Sequence, residues 1–361
     1  MNSNSGNVTF HTGFHPVGGR LIQQSVLKGV RKRPEGVVEG AAIGNDAAIF
    51  RNGDIFISQA VGAAATGWFP EGAVLSAGDM AWITVRNQLS TVGAKATSAQ
   101  ILLTVGSGCP EDVIRREMRN LNRIAAEEKI PVVGGNTVYF GDSEDCLIQV
   151  MMTGEWQEKP VSKPKAGDVI YFLGEAGTLG AELLAVAKRD FLSEYFSDSY
   201  IDSMRYPKGA FSSESKADAA LSAGAIFLHD ISYGGVYTAL YQLAEACGTG
   251  IAVTHEGITI RQSVIELSEK LGINPYLLLG TGGLLSVVPA DLTESWENRM
   301  AEIMSEINSE REPDRPVEFS VRKAAVLTEE KARVVRAEGF PMERYLNLPE
   351  GDAMEECIRS F

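Results

Sequence analysis

Residues 226–235 of this chain read Ile226-Phe227-Leu228-His229-Asp230-Ile231-Ser232-Tyr233-Gly234-Gly235. The apolar residues at the start predict a short strand over 226–228, and the two glycines at the end predict a helix that continues to Gly248. A strand that turns at once into a helix is typical of α/β folds, which place ligand-binding groups at such junctions. Asp230 therefore has two interpretations: it holds a metal ion or a substrate hydroxyl, or it caps the helix.

The same alternation of strands and helices extends along the chain. An amphipathic helix is predicted over 110–129, because Pro110 suits a first helical turn and apolar residues recur at helical spacing after it. The segment 157–167 contains two Lys-Pro pairs and predicts a boundary between two halves near residue 160. A second irregular segment, 195–215, is long enough to be a lid or a surface excursion. The strand-like runs, which indicate an α/β or α+β fold, are 54–59, 99–105, 130–133, 147–153, 168–173, 226–228 and 284–288.

Composition excludes several classes of protein. The 361 residues are 44% hydrophobic and 22% charged, with a formal net charge of −14, as in a globular protein of about two domains that does not bind nucleic acid. The N-terminus lacks a signal-peptide pattern and no run of about 18 apolar residues occurs, so we expect neither export nor a membrane partner. The four cysteines lack Cys-x-x-Cys spacing, which argues against zinc and disulfides and favours a cytoplasmic protein.

Glycine and amide residues form clusters at the ends of predicted strands or in the helices beside them. Such clusters suit the phosphates of a ligand, because glycine lets the backbone approach closely. Another glycine-rich run, 174–180, follows a strand and opens a helix, and it either cradles an anion or makes a tight turn. Its spacing favours the turn. The clusters are Gly44-Asn45-Asp46-Ala47-Ala48, Asn87-Gln88-Leu89 and Gly134-Gly135-Asn136-Thr137.

Taken in order along the chain, these clusters resemble the aminoimidazole ribonucleotide (AIR) synthetase-related superfamily. Its members include thiamine-monophosphate kinase, selenophosphate synthetase and the hydrogenase maturation factor HypE. The resemblance spans nearly the whole chain, and HypE is the most similar member because of Gly18-Gly19-Arg20 and the region 244–251. Further segments that carry it are 229–235, 243–248, 272–275 and 282–285.

This resemblance implies a two-domain AIR synthetase-like fold, with an N-terminal domain over 1–158, a C-terminal domain over 165–352 and a tail over 353–361. It also implies a homodimer whose N-terminal domains pair their sheets, with ATP bound in a cleft near the dimer interface. HypE-like activity would further involve a maturation partner protein. The residues expected to line the cleft are Gly44, Asn45, Asp46, Gln59, Asn87, Gln88, Gly134, Gly135, Asn136, Thr137 and Asp230.

Several acids of the superfamily are amides in this chain. The superfamily usually has an acidic pair where Asn45-Asp46 stands, and it has an aspartate at the positions of Gln59, Gln88 and Asn136. Only Asp46 and Asp230 remain as predicted ligands of Mg²⁺, which prefers charged carboxylate oxygens to neutral amides. The sequence therefore predicts weak or absent Mg²⁺ binding. Three hypotheses stay open: ATP-dependent phosphoryl transfer, binding of a phosphate compound or a partner protein without turnover, and a scaffold with an empty cleft whose glycines serve turns only.

The chain ends in Glu355-Glu356-Cys357-Ile358-Arg359-Ser360-Phe361. HypE proteins instead finish in a Pro-Arg-Ile-Cys-like sequence, whose terminal cysteine carries a carbamoyl group. Cys357 is followed by four residues and preceded by two acids, which should raise the pKa of its thiol. We therefore expect Cys357 to be an ordinary thiol in a frayed tail and not a carbamoyl acceptor.

Overall fold

The computed structural model describes residues 22–30, 35–155, 163–309, 319–339, 342–348 and 351–359. These residues form two β-sheets with helices packed on them, which confirms the α/β fold expected from the sequence. The boundary predicted near residue 160 and the Gly18-Gly19-Arg20 segment lie outside the described residues. Among those that are described, no helix combines the length and the apolar character needed to cross a membrane.

Six strands form the N-terminal sheet: β1 (Val37–Glu39), β2 (Ala48–Asn52), β3 (Ile55–Ala65), β4 (Lys95–Val105), β5 (Val132–Tyr139) and β6 (Cys146–Glu155). Their order is β1-β2-β3-β6-β4-β5, and only β4 and β5 run parallel to each other. Alternate side chains of β3 and β6 are buried, because one face of the sheet packs on helix α1 (Ala77–Thr91). Helix α2 (Glu111–Glu128) lies against α1.

The two helices of this half begin and end where local sequence signals place them. Helix α1 starts with a capping box, in which Ser76 and Asp79 satisfy each other's backbone N–H groups. Helix α2 is the helix predicted over 110–129. It begins after Pro110 and ends at Lys129, which adopts a left-handed φ of 57°.

Seven strands form the C-terminal sheet: β7 (Val169–Leu173), β8 (Phe227–Asp230), β9 (Gly250–Thr254), β10 (Leu284–Val288), β11 (Val321–Thr328), β12 (Arg333–Arg336) and β13 (Arg344–Tyr345). Their order is β13-β12-β9-β11-β7-β10-β8, and β12 pairs with β9 in parallel.

Eight helices belong to the described part of this half: α3 (Thr178–Ala187), α4 (Arg189–Leu192), α5 (Asp198–Ser203), α6 (Glu214–Ser222), α7 (Gly235–Cys247), α8 (Gln262–Leu271), α9 (Thr293–Ser309) and α10 (Ala353–Arg359). Apolar side chains of α7 cover one face of the sheet, and those of α6 and α9 cover the other.

The two halves share a hydrophobic core. Side chains of α3, α8 and α10 join the cluster formed by α1 and the N-terminal sheet. This corrects our expectation of a frayed tail over 353–361, since α10 buries Ala353, Met354 and Cys357 in that cluster. The apolar residues of the segment recur at helical spacing, and this spacing gives the end of the chain a face to bury.

Candidate functional site

A cavity of about 1030 Å³ lies in the C-terminal half, and we call it the Lys216 cavity. Its floor includes Gly174, from the glycine-rich run after β7, and the pair Gly282-Gly283 before β10. Lys216 of α6 and Arg261 before α8 bring positive charge to its wall. Neither cation is recognisable as a site residue from the sequence, because a single lysine or arginine carries no spacing signal.

Lys216 is a buried cation without a direct acidic partner among the described residues. Its Nζ donates to the Ser212 carbonyl oxygen at 2.9 Å and lies 5.7 Å from the centre of the Phe319 ring. Only 8% of the residue is exposed. Burial lowers the pKa of Lys216 to about 8, although Asp230 and Glu175 act in the opposite direction. An anionic ligand would therefore stabilise the charged ammonium group.

Arg261 is held in a fixed position at the same wall. Its Nε lies 2.7 Å from a carboxylate oxygen of Glu175, and its guanidinium carbon lies 3.9 Å from the centre of the Tyr206 ring. Glu175 therefore already balances the charge of Arg261. Lys216 differs, because it has no direct ion pair among the described residues.

The segment 205–213 forms part of the cavity wall, and helix α1 holds it through Asn87. The Asn87 side chain is fully buried, donates to the Phe211 carbonyl at 3.0 Å and accepts the Ser213 N–H at 2.9 Å. We predicted Asn87 to bind a ligand. Both ends of its amide hold the cavity wall, and its role in ligand binding stays a prediction.

Two buried carboxylates hold the same segment at its start. Asp79 Oδ1 lies 2.8 Å from the ammonium of Lys208. Glu182, which is fully buried, accepts a hydrogen bond from Arg205 at 2.7 Å and one from the Tyr206 N–H at 3.0 Å. The irregular segment predicted over 195–215 is thus anchored structure beside a cavity and not a loose surface excursion.

The glycine-rich run 174–180 shapes the cavity, and three of its N–H groups are already occupied within the protein. The N–H groups of Gly174, Ala176 and Gly180 donate to carbonyl groups elsewhere in the C-terminal half at 2.8 to 2.9 Å. Gly177 has a φ of 69° and precedes α3, a conformation that glycine adopts without strain. The structure therefore favours the tight-turn interpretation of this run.

A second charged cluster joins the two halves at Asp46. One Asp46 oxygen accepts the Asp230 N–H at 2.8 Å, and the other lies 2.9 Å from His229 Nδ1. His229 Nε2 lies 3.2 Å from the Gln242 side-chain oxygen. Burial disfavours the charged imidazolium, but the Asp46 carboxylate outweighs it and raises the pKa of His229. The predicted proximity of Asp46 and Asp230 is therefore present, with His229 as an unpredicted third member.

The loop that carries Asp46 fits tightly against α7. Gly44 has a φ of 82°, and a Cβ atom there would come within 2.3 Å of the Gln242 carbonyl oxygen. The Asn45 side chain donates to the Gly40 carbonyl at 2.8 Å and to Glu39 at 3.2 Å. Gly44, Asn45 and Asp46 line a cavity of only about 100 Å³, which is too small for a nucleotide.

Asp230 is enclosed next to Asp46. Neither of its carboxylate oxygens has a well-formed hydrogen bond with a residue that the structure describes, and burial together with Asp46 raises the pKa of Asp230 well above its ordinary value. A cation would lower the free-energy cost of burying this carboxylate. However, the part of the chain that the structure describes contains no group of three or more His, Cys, Asp or Glu side chains suited to a metal. The residues around Asp46 and Asp230 therefore do not fit a Mg²⁺ site, and we derive no chemistry through one.

The remaining amide positions, Gln59, Gln88 and Asn136, lie on three different elements of the N-terminal half, and their predicted role in ligand binding stays a prediction. Gln59 lies on β3 and donates to Thr153 of β6 at 3.2 Å. Asn136 lies on the exposed strand β5, where its side-chain oxygen accepts the Thr137 N–H at 2.9 Å. Strands β6 and β4 separate β3 from β5. Gln88 lies on α1, and its side-chain oxygen is buried without a partner among the described residues.

Strand packing explains one of the two glycines of β5. A Cβ atom on Gly135 would lie 1.8 Å from the Ile101 carbonyl oxygen of β4, so the close approach of the two strands needs glycine there. Gly134 faces open space. With Thr137, both glycines belong to the fully exposed strand β5, and their predicted role in ligand binding stays a prediction.

Comparison with known proteins identifies the family. The family description "AIR synthase related protein, N-terminal domain" matches residues 44–156, and its C-terminal counterpart matches residues 165–302. The chain belongs to the AIR synthase related protein family. It is 26% identical over 229 residues to the carbamoyl dehydratase HypE of Rhodobacter capsulatus. That match covers 61% of this chain and 63% of the relative, which is less than two thirds of its length.

Solved structures agree with this family. The fold is similar to that in a crystal structure of a HypE–HypF complex, with a TM-score of 0.64, 18% identity and coverage of 91% of this chain and 99% of that one. It is also similar to a crystal structure of HypE in complex with ATP, with a TM-score of 0.62, 18% identity and coverage of 93% and 96%. The expected two-domain AIR synthetase-like fold and the resemblance to HypE are thus confirmed.

The end of this AIR synthase related protein is docked on the junction that opens α7. Asp352 is buried and accepts the N–H groups of Gly234 at 2.7 Å, Met354 at 2.9 Å and Leu279 at 3.1 Å. Burial raises the pKa of Asp352 to about 7. Cys357 is 2% exposed, and burial raises the pKa of its thiol. Cys357 therefore lacks the exposure and the thiolate character of a reactive cysteine.

Proposed function

We propose that this chain is a HypE-like homodimer that binds ATP, or another phosphate-bearing anion, in the Lys216 cavity. The observation that carries the proposal is the ammonium group of Lys216, which is nearly buried, faces a cavity of about 1030 Å³ and donates to a neutral carbonyl. Removing a cation from water costs free energy unless a partner compensates it. A phosphate oxygen is a partner of the right charge.

The size of the cavity and the known relatives both support a nucleotide-sized ligand. Small-molecule sites typically measure about 300 to 1,000 Å³, so the cavity stands at the upper end of that range. HypE has been crystallised with ATP, which makes ATP the first ligand to test. HypE has also been crystallised with HypF, and a HypF-like protein is the maturation partner that we propose for this chain.

Two structural features favour binding without turnover as the second candidate function. The carboxylates that remain near Asp46 do not form a three-acid metal group among the described residues. Cys357 is enclosed in the shared core, where burial raises the pKa of its thiol and makes the thiolate less available. In this second function, the protein keeps the family scaffold and binds a phosphate compound or a partner protein without Mg²⁺-dependent chemistry.

Calorimetric titration of the full chain with ATP, ADP and pyrophosphate tests this proposal. Each titration is run with EDTA and again with Mg²⁺. We expect ATP to bind, and we expect its affinity to be nearly the same in both conditions, because Lys216 is the charged contact and no acidic metal group accompanies it. Absence of binding by all three compounds would contradict the proposal. Binding of ATP that requires Mg²⁺ would instead favour metal-assisted phosphoryl transfer.

The outer face of the N-terminal sheet supports the proposed homodimer. Strand β5 is exposed along its whole length, and large apolar side chains stand in solvent on this sheet and just after it: Val61 (58% exposed), Val133 (61%), Tyr139 (78%) and Phe140 (67%). An exposed edge strand that carries several large apolar side chains favours an interaction site. Light scattering at micromolar concentration should give the mass of a dimer, and a monomer mass would contradict this part of the proposal.

A further inference from the structure

A second cavity, of about 620 Å³, lies against α7 and strands β12 and β13, and we call it the Tyr276 cavity. It shares no lining residue with the Lys216 cavity. Its volume falls within the range of ordinary small-molecule sites. Nothing in the proposed phosphate site uses it. The lining side chains that matter chemically are Tyr237, His255, Tyr276, Arg344 and Tyr345.

Two tyrosines and a histidine form an ordered aromatic wall in this cavity. The rings of Tyr237 and Tyr276 are stacked, with centroids 5.1 Å apart and an interplanar angle of 17°. The His255 ring lies 4.7 Å from the Tyr276 ring at 59°. Rings fixed in this way give a planar ligand a preformed surface at little cost in conformational entropy.

The hydroxyl groups of Tyr237 and Tyr276 both contact His255, and one of them keeps an O–H proton that it can donate to a ligand. Tyr237 Oη lies 3.2 Å from His255 Nδ1, and Tyr276 Oη lies 3.1 Å from His255 Nε2. A neutral imidazole has one N–H donor and one acceptor, so one tyrosine must accept from His255 and keeps its own proton. Burial raises the pKa of Tyr237 to about 12, which keeps its phenol protonated at neutral pH.

Arg344 supplies the charge of the cavity. It is exposed, and it forms no ion pair with any residue that the structure describes. Its neighbour Arg336 is different, because the Nε of Arg336 lies 2.6 Å from the Glu343 carboxylate. The protein as a whole carries a net charge of −14, but the positive charge of Arg344 beside an aromatic wall favours an anion at this cavity.

We propose that the Tyr276 cavity binds a small planar aromatic anion, whose ring packs on the tyrosine rings and whose carboxylate or phosphate pairs with Arg344. Arginine recognises both groups through paired N–H donors, and the aromatic wall contributes stacking in both cases. An aromatic carboxylate and a nucleoside monophosphate share this chemistry. The proposal does not depend on what occupies the Lys216 cavity.

Titration of the full chain with 4-hydroxybenzoate and with AMP, followed by ligand-observed NMR and calorimetry, tests this second site. We expect at least one probe to saturate with a Kd at or below about 1 mM. Arg344→Gln should weaken that binding roughly 10-fold, because it removes one charge-assisted contact. Tyr276→Ala should weaken it by a similar factor, whereas Tyr276→Phe keeps the ring and should cost less. Arg119→Gln, which changes another exposed arginine on α2, is the matched control.

Separate outcomes distinguish the two cavities and the two probes. If Lys216→Gln abolishes AMP binding and Arg344→Gln leaves it unchanged, AMP binds in the Lys216 cavity. A mononucleotide is then excluded as the ligand of the Tyr276 cavity. The proposal is overturned if neither probe saturates below about 10 mM, or if Arg344→Gln and Tyr276→Ala, both folded by circular dichroism, bind the probes as the parent does.

Discussion

Asp46 and Lys216 are both charged residues at buried junctions, but their surroundings differ. Both carboxylate oxygens of Asp46 have partners, which are His229 and the Asp230 N–H, and the cavity beside Asp46 measures only about 100 Å³. Lys216 donates to a neutral carbonyl and faces a cavity ten times larger. A buried charge with its own partners holds a structure together, whereas a buried charge that faces open volume is ready for a ligand. Asp46 was the expected ligand residue, yet Lys216 is the better candidate.

The largest loss of stability is expected from Asn87→Ala, which tests whether the N-terminal half builds the wall of the Lys216 cavity. The change leaves the Phe211 carbonyl and the Ser213 N–H buried without partners. Each orphaned group costs about 1 to 3 kcal/mol, so we expect a loss of roughly 2 to 4 kcal/mol in urea unfolding. ATP affinity should fall with it.

Asn122→Ala is the matched control for that experiment, because Asn122 is exposed on α2. It should change the free energy of unfolding by less than about 1 kcal/mol. If Asn87→Ala lowers the free energy of unfolding no more than Asn122→Ala does, the hydrogen bonds of Asn87 to the segment 205–213 do not stabilise the cavity wall.

A smaller effect, and one that depends on pH, is expected from Asp46→Asn. The Asp46 carboxylate raises the pKa of His229 in the folded state above the unfolded value of about 6.5. The stability that this pair contributes is therefore fully present below about pH 6.5 and is lost as the pH rises through the folded pKa. The parent should exceed Asp46→Asn by about 1 to 2 kcal/mol near pH 6, and the difference should shrink at higher pH.

Thermal or urea unfolding from pH 5.5 to 9 measures this difference, with Asp54→Asn as the control because Asp54 is fully exposed. The pKa of Asp230 is also raised in the folded state. The titrations of His229 and Asp230 therefore both make the parent less stable as the pH rises. A difference between parent and Asp46→Asn that stays constant over this range would show that the pair is not ionised as described.

The smallest effect is expected at Cys357. Because the thiol is buried and its pKa is raised, iodoacetamide should label it only after unfolding, and Cys357→Ser should leave ATP affinity unchanged. Mass spectrometry after incubation with ATP and a carbamoyl donor system is the sharper measurement. We expect an unmodified Cys357, and a carbamoylated residue would mean that α10 releases its thiol during a reaction.

Local patterns in the sequence predicted the elements that bury an apolar face. The strand β8, the turn at Gly234 and the helix α7 follow from one continuous run of residues, and α2 follows from Pro110 and its periodicity. Strands β1, β2, β9, β11, β12 and β13 were missed. Of these, β1 and β13 lie at sheet edges, where a strand needs little apolar sequence, whereas β9 and β11 are interior strands whose runs are short or have charged residues near their start.

Contacts between distant segments limited what could be predicted about the site. Asn87 meets residues 124 to 126 positions away along the chain, and Lys216 reaches the cavity only because α6 packs beside the glycine turns. No short motif records such a meeting. The family resemblance predicts ligand residues at the positions of the superfamily's acids, several of which are amides in this chain. It therefore indicates Asp46 and Asn136 and not Lys216.

Titration of Lys216→Gln with ATP in EDTA, beside the parent and Lys323→Gln, tests the central claim most directly. Lys323 is exposed on β11 and serves as the control for loss of one lysine charge. If Lys216 is the charged contact of a phosphate site, its replacement should weaken ATP binding roughly 10- to 100-fold, the range expected for one charge-assisted hydrogen bond, while Lys323→Gln binds as the parent does. Equal ATP affinity in all three proteins, with Lys216→Gln folded, would contradict the account.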